Sequence, residues 1–577
     1  MYVLGISCFY HDSAAALIKD GVVVAAAEEE RFTRKKHDIS FPINSINFCL
    51  QHEKITIENI DQIGFYEKPI LKFDRLMSQH LEKFPFSYAQ FIKAMPSWLT
   101  EKLRIPQIIK KKLGFKKKIF FIEHHLAHAA SSFLVSPFKE SAICTIDGVG
   151  EWASTTLGIG KGNEVKILKE IHFPHSIGLL YSTVTAYLGF SVNNSEYKVM
   201  GLAPYGKPIY YEKLRKVIDI KPDGSYALDM SYFEYHYKLT MPSKKFISEF
   251  GPSRGKNDTV EQKHKDMAAS LQKVTEEAVF AMLNYLHKLT GSDNLCMAGG
   301  VALNSVANGK ITKNTPFKNI FIQPAASDSG TSIGCASYVY HSIFDFKRHY
   351  VMKNAYLGPG YKTEEIKKFL DDNKIVYSEF KNDEELVGTT AKLIYEDKVI
   401  GWFQGRMEWG PRALGSRSIL SNASNPNMKE ILNLKVKHRE HFRPFAPVIT
   451  AEDVHEWSDI DKDEEEFMLF VYPIKENKRK IIPSVTHVDG SGRLQTITKE
   501  QNSRYYGVIK AFEKLSGVPI LINTSFNIRG EPIVCTPQNA YKCMMGTGID
   551  YLVMDKFLIA REDNPRDKWD SEVNAGD

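Results

Sequence analysis

An α/β fold is what this chain of 577 residues predicts, and three observations predict it. A three-stranded meander opens the sequence. The same meander recurs about 140 residues later. Strand-to-glycine-to-helix turns follow the second copy. Repetition of one supersecondary unit is the mark of an internal duplication, and meanders that continue into helices build layered α/β domains.

The elements follow in order. Val3 to Ser7, Ser13 to Lys19 and Val22 to Ala27 are short apolar runs. Asp20-Gly21 between the last two predicts a hairpin, because glycine accepts the positive φ of a type I′ turn. In the second copy Ala142 to Ile146, Ala153 to Gly158 and Val165 to Ile171 are the strands. Turns at Asp147 to Glu151 and at Lys161-Gly162-Asn163 join them. Leu295 to Ala298 then leads into Gly299-Gly300 and a helix carrying Asn304, and Ile320 to Gln323 leads into an Asp328-Ser329-Gly330 turn and a helix from Thr331. Glycines that open a helix let an anionic ligand approach its N-terminus.

A chain of this length exceeds one core, so two or more domains are expected. The pattern breaks between Phe344 and Gly360, which places a boundary near residue 355 and divides the chain into 1–354 and 355–577. Beyond it Thr363 to Leu370 and Asp383 to Glu396 predict helices and Val399 to Phe403 a strand. The net charge of +6 is small for the length, which argues against a generic nucleic-acid coat and allows a local anion site. Seven cysteines at wide spacing, with no C-x-x-C, argue against a disulfide framework and a zinc ribbon. The N-terminus has no basic stretch followed by an apolar run, and no stretch of about 18 apolar residues occurs. The expected location is the cytoplasm, with no membrane partner. Residues 66–118 are rich in lysine and aromatics, and a solvated helical insertion is favoured there over a nucleic-acid or membrane contact.

Three segments carry chemistry. In Glu123-His124-His125-Leu126-Ala127-His128 the leucine and alanine favour helix, which puts His124 and His128 on one face. Imidazoles at that spacing can grip one metal ion, with Asp147 adding a hard oxygen and a second aspartate turn at Asp328. Taken alone, an H-x-x-x-H is more often an ordinary helix. The second segment runs from Arg406 to Arg443 and holds eight Lys or Arg against three Glu. It contains Arg412, Arg417, Lys437, Arg439 and Arg443, and its many Gly and Pro residues suit an oxyanion pocket of guanidinium forks better than a solvated helix. The third is Val518 to Pro532, where a buried strand ends in Asn523, Thr524, Ser525, Asn527 and Arg529. Polar rims at strand ends are where α/β proteins hold small ligands.

Gly5-Ile6-Ser7 through His11-Asp12-Ser13-Ala14-Ala15, Glu28 to Phe32, the His124/His128 helix, Gly299 to Asn304, the arginine-rich loop and Asn523 to Asn527 occur in one order along the chain. Together they resemble the O-carbamoyltransferases of natural-product biosynthesis, such as the nodulation-factor, cephamycin and tobramycin enzymes. The resemblance implies an actin-like, ASKHA-type N-terminal domain for carbamoyl transfer and an α+β, YrdC-like C-terminal domain. It implies that carbamoyl phosphate and ATP, with magnesium, give carbamoyl-adenylate in the C-terminal domain, and that a hydroxyl of a small molecule then takes the carbamoyl group in the N-terminal domain. By motif position His11, Lys437 and Arg439 are the implied catalytic residues. Arg412, Arg417, Arg443, Asn523, Ser525, Asn527 and Arg529 are implied to hold ATP and carbamoyl phosphate, and Gly148, Gly150, Gly299, Gly300 and Asn304 the adenylate. His124, His128, Asp147 and Asp328 match the metal ligands, with iron expected first and zinc or manganese as alternatives. His11 would take the hydroxyl proton, because a free imidazole titrates near pH 6.5. Read without the family, it is a turn-capping histidine beside Asp12.

Two related chemistries compete. A tRNA threonylcarbamoyl-modifying protein would need the 66–118 insertion as its nucleic-acid surface. A hydrogenase-maturation carbamoyltransferase would carry cysteine-rich zinc modules, and no cysteine pairs occur here. A non-catalytic ATP-binding regulator would not need the arginine loop. The acceptor alcohol is not legible, and the oligomeric state is left as monomer or homodimer.

Overall fold

The computed structural model describes residues 1–565 and contains two compact units. The first unit holds Met1–Glu29 and His37–Met352; the second holds Glu30–Lys36 and the chain from Lys353 onward.

In the first unit β1 (Tyr2–Ser7), β2 (Ala14–Lys19) and β3 (Val22–Glu28) form an antiparallel meander. Asp20 and Gly21 both take positive φ, 47° and 86°, as the hairpin signal requires. Strands β4 (Gln62–Phe65) and β5 (Ile119–Phe121) extend the sheet in parallel beyond β1. A second sheet repeats the plan. Its meander is β6 (Glu140–Ile146), β7 (Ala153–Lys161) and β8 (Glu164–His172). A two-stranded ribbon of β9 (Ile218–Ile220) and β10 (Tyr226–Leu228) intervenes. Strands β11 (Asn294–Ala298) and β12 (Asn319–Ile322) then run parallel to β6. The sheet orders β3-β2-β1-β4-β5 and β8-β7-β6-β11-β12 are the same topology twice, so the expected duplicated, actin-like α/β fold is present.

Three glycines set the packing between these halves of the first unit. The helix Thr331–Ser337 crosses the first sheet so closely that a Cβ on Gly5 would lie 1.8 Å from the Ser332 carbonyl oxygen, and one on Gly64 2.9 Å from the Cys335 carbonyl. A Cβ on Gly334 would lie 1.9 Å from the carbonyl oxygen of Ala127, in the helix His124–Phe133. Both helices are therefore held at backbone contact.

The insertion is helical as expected, with helices Pro69–Lys83, Tyr88–Thr100 and Ile105–Leu113. It is not wholly solvated: Lys72, Arg75 and Trp98 are buried. Among the described residues no helix is long and apolar enough to cross a membrane.

The second unit is built on one eight-stranded mixed sheet. Its strands are β13 (Ser378–Glu379), β14 (Ile400–Phe403), β15 (Arg417–Asn422), β16 (Ala446–Thr450), β19 (Gln495–Ile497), β20 (Ile520–Ser525), β21 (Tyr551–Met554) and β22 (Phe557–Ala560). Their order is β13-β22-β21-β14-β15-β20-β16-β19, and β17 (Val471–Pro473) pairs separately with β18 (Ser491–Arg493). Residues 30–36 are built into this unit. Arg31 donates to the Gly410 carbonyl at 2.9 Å, Arg34 to the carbonyls of Ile533 and Pro532 at 2.7 and 2.6 Å, and Phe32 packs on Met407, Ile533 and Cys535.

Candidate functional sites in the two units

In the first unit β6 ends at Ile146, and the turn beyond it presents Asp147. Its Oδ1 accepts from the Gly300 amide at 3.1 Å. Gly299 makes that approach possible: its φ is +92°, and a Cβ there would lie 2.3 Å from the Ile146 carbonyl oxygen. His124 and His128 share one helix face, and their Nε2 atoms lie 3.1 Å apart. His124 Nε2 is 3.0 Å from Asp147 Oδ2 and 3.6 Å from Asp328 Oδ1; His128 Nε2 is 3.6 Å from each. One ligand atom from each of the four residues falls within 4.8 Å of the other three. All four are buried, and both carboxylate oxygens of Asp328 lack any hydrogen-bond donor among the described residues. A buried carboxylate without a donor is costly. Two nitrogens and two oxygens converging on one point are the donor set of a divalent transition metal, so these residues fit the ion that the resemblance implies. Burial alone would depress His128; its contacts with Asp147 and Asp328 outweigh it and raise it to about 9.

His11 stands beside this quartet. Its Nδ1 is 3.0 Å from Asp12 Oδ2 and its Nε2 3.8 Å from Asp328 Oδ2. Asp12 in turn meets His37 at 2.6 Å and Ser327 at 3.1 Å. Burial opposes the charged imidazole, but Asp328 and Asp12 hold it well above its ordinary value. The unperturbed value near 6.5 expected from sequence therefore does not apply. Asn304 lies outside the expected helix: its Oδ1 caps Ala307 N at 3.1 Å, and its amide pairs with Gln272. Gly148 and Gly150 form the turn after Asp147, where the Gly150 amide donates to the Ala153 carbonyl at 2.8 Å.

In the second unit a π-helical turn, Leu432–Val436, delivers Lys437, and His438 follows at φ +47°. Local departures of this kind are frequent at functional sites. Lys437 Nζ donates to the Ser525 carbonyl, to the Asn527 carbonyl at 3.0 Å and to Asn527 Oδ1 at 2.8 Å. Ser525 Oγ donates to the same Oδ1 at 2.7 Å. The K-x-R and S-x-N motifs, more than 80 residues apart in sequence, are thus in direct contact.

Around them cations gather. Burial first, then Arg412, Arg439 and Arg443, push the Arg493 guanidinium well down from its usual range. Lys437 is lowered by burial, then by Arg439 and, further down, by Arg443, and Lys429 by burial and Arg439. Glu440 lies 3.7 Å from Arg443 and 3.8 Å from Arg529. Like charges held this close are unfavourable unless an anion joins them, and guanidinium forks match phosphate oxygens.

Two expected members stand elsewhere. Arg417 is fully buried; it donates to the carbonyls of Gln404, Ser416, Pro359 and Gly405 and lies 3.6 Å over the Phe403 ring. Both of its terminal nitrogens are taken up by the backbone, and only Nε has no partner among the described residues, so the structure makes it a framework residue of the loop and does not bring it to the cations. Asn523 is likewise turned inward, its amide donating to the Ala413 carbonyl and Gln495 Oε1. Two residues escaped the sequence reading. Arg493, in a separate hairpin, joins the cations. Glu408 Oε1 accepts from the amides of Leu414, Ser416 and Arg417 at 2.6–3.1 Å and shapes the loop. The only hint of Arg493 is its place after Gly490-Ser491-Gly492.

Comparison with known proteins agrees with both halves of this description. The family model for the carbamoyltransferase N-terminus matches residues 2–337, and that for the carbamoyltransferase C-terminus residues 391–561. An uncharacterized protein of Synechocystis sp. is 47% identical over 99% of each chain. Nodulation protein NolNO of Sinorhizobium fredii is 37% identical over 97% of this chain and 80% of its own. Nodulation protein U of Rhizobium tropici is 27% identical over 96% and 95%. Among solved structures HypF of T. kodakarensis aligns with a TM-score of 0.31 and 15% identity over 59% of this chain and 48% of its own. Family models that cover most of the sequence, in the order found here, show that the chain belongs to the carbamoyltransferase family.

Proposed function

We propose that this carbamoyltransferase is an ATP-dependent O-carbamoyltransferase that works in two steps, one in each unit. The observation that carries the reading is the contact of Lys437 with Asn527 and Ser525 beside Arg439 and Arg443, which in turn are close enough to Arg493 to depress it together with Arg412, a concentration of positive charge suited to a triphosphate. In the first step carbamoyl phosphate is hydrolysed to carbamate and phosphate. A carbamate oxygen attacks the α-phosphorus of ATP, and pyrophosphate leaves. The guanidinium groups and Lys437 stabilise charge developing on the phosphoryl oxygens.

In the second step the acceptor hydroxyl oxygen attacks the carbamoyl carbon, AMP leaves, and the hydroxyl proton passes to His11. His124, His128, Asp147 and Asp328 would hold a divalent cation, iron, zinc or manganese, which supplies a Lewis acid for the adenylate phosphate and neutralises Asp328. His11, held by Asp12 at 3.0 Å and standing 3.8 Å from Asp328, is the group placed to take the hydroxyl proton. The turns at Gly148, Gly150, Gly299 and Gly300 line the approach to Asp147 and are assigned to the adenylate. The acceptor is a small-molecule alcohol, and the location assigned is cytoplasmic.

Pyrophosphate release and product formation, measured together on two variants, test the scheme. Arg439→Ala loses charge-assisted hydrogen bonds of roughly 1.5–3 kcal/mol and should cut both signals about 10- to 100-fold. His11→Asn should keep carbamoyl-phosphate-dependent pyrophosphate release and lose product about 10²- to 10⁴-fold. Full pyrophosphate release by folded Arg439→Ala removes the adenylation assignment, and full product from His11→Asn makes His11 structural.

A further inference from the structure

The helix Pro69–Lys83 of the insertion turns two buried cations, Lys72 and Arg75, toward the first turn of the chain. They differ in what holds them. Lys72 Nζ is paired with buried Glu67 at 2.5 Å and lies 4.6 Å over the Tyr10 ring. Tyr10 in turn meets the His11 ring, centroid to centroid, at 4.8 Å. Arg75 is 8% exposed, lies 4.9 Å over the Phe173 ring, and makes no hydrogen bond or ion pair with any described residue. Glu67 is committed to Lys72, and Glu151 accepts from the amides of Lys68 and His124. Lys102, over the Trp98 ring at 5.1 Å, adds a further positive charge to the same face of the insertion. Arg75 Nε is buried with no partner among the described residues, which is unfavourable in the free protein. Its apolar seat on Phe173 leaves the planar fork ready for one carboxylate or phosphate.

We propose that Arg75 is an acceptor-recognition residue, and that the alcohol carries an anionic group, a carboxylate or a phosphate or sulfate ester, a few bonds from the hydroxyl that is carbamoylated. The inference rests on the reading above that places the acceptor hydroxyl at His11. Tyr10 links the two regions: its ring carries Lys72, three residues before Arg75 on the same helix, and meets the His11 ring.

The test uses the whole enzyme and two arms. In the first, glycerol, glycerate and glycerol 3-phosphate are offered at equal concentration with ATP and carbamoyl phosphate, and carbamoylated product is weighed by mass spectrometry. Wild type should favour an anionic member over glycerol by about 10- to 100-fold, the magnitude of a charge-assisted contact. Whichever anion leads distinguishes carboxylate from phosphate. Arg75→Gln should bring the ratio to near one, and Arg75→Lys should restore part of it. The ratio, not the absolute rate, is the readout, so an effect on the adenylate, which lowers all three alike, is recognised and overturns the proposal. In the second arm crystals of wild type and Arg75→Gln are soaked in selenate. An anomalous peak within hydrogen-bond distance of the Arg75 guanidinium, absent from the variant, supports the site; no peak in wild type overturns it. If wild type releases no pyrophosphate, the two-step reading fails, and the selenate arm decides the anion site by itself.

Discussion

Lys437 shows how a single side chain records the ligand it awaits. Burial, then Arg439, hold its ammonium well below the usual lysine range in the free protein. A triphosphate would reverse that, because a nearby anion favours the charged form. The free enzyme therefore binds fewer protons than the complex at pH values between the lowered value of the free protein and the higher value of the complex. Titration of the enzyme with ATP in two buffers of different ionisation enthalpy should show uptake of up to about one proton in that window and none well below it. Lys437→Met should abolish the uptake. Equal uptake by wild type and Lys437→Met would place the proton elsewhere. The quartet in the first unit makes a second prediction: metal analysis after tag removal should find about one ion per chain in wild type, and His128→Ala should hold substantially less. Unchanged stoichiometry contradicts the assignment of His128. Side chains of one type in one loop are where the sequence is least legible. Arg417 and Arg439 look alike in an arginine-rich stretch, yet one donates to four backbone carbonyls and the other stands among cations. Only tertiary placement separates them. The H-x-x-x-H spacing, by contrast, is local, and a helix converts it directly into geometry.

At the scale of elements, the spacing of the metal ligands depends on how closely two helices pass. Gly334 lets the helix Thr331–Ser337, which follows Asp328, press its backbone on the helix that carries His124 and His128. A methyl group there meets a carbonyl oxygen rather than a flexible side chain, so the helices must separate. Gly334→Ala should destabilise the first unit by about 1–3 kcal/mol or more, as overpacking does, and should lower metal retention at temperatures where the protein is still folded. A variant that melts and binds metal like wild type would show the contact to be compliant. The strands were readable because short apolar runs and the hairpin turns that bound them are local signals, and Asp20-Gly21 is the clearest. Helix-to-helix approach was not readable, since Gly5, Gly64 and Gly334 lie far apart in sequence and look like ordinary glycines until the fold joins them.

For the whole molecule, the duplication was legible from repeated meanders, but the path of residues 30–36 was not. They carry no hydrophobic run that marks a second-unit element, and their partners come from residues 407–410 and 532–535. A protein beginning at Lys353 lacks Arg31, Phe32 and Arg34. It leaves the buried carbonyls of Gly410, Pro532 and Ile533 without these donors, at about 1–3 kcal/mol each, and uncovers Met407, Ile533 and Cys535. Against a total stability of about 5–15 kcal/mol, the loss should abolish its cooperative thermal transition by circular dichroism. Melting as sharp as in the full chain would contradict this. The same arrangement bears on synthesis. Arg34 is separated from Pro532 by 498 residues. At about 5–20 residues per second a ribosome takes roughly 25–100 s to cover that distance. Gly410 and Met407, which receive Arg31 and Phe32, emerge about 120 residues before Pro532, so residues 30–36 dock in two stages, and Arg34 is locked in place only when the last of their partners has been translated.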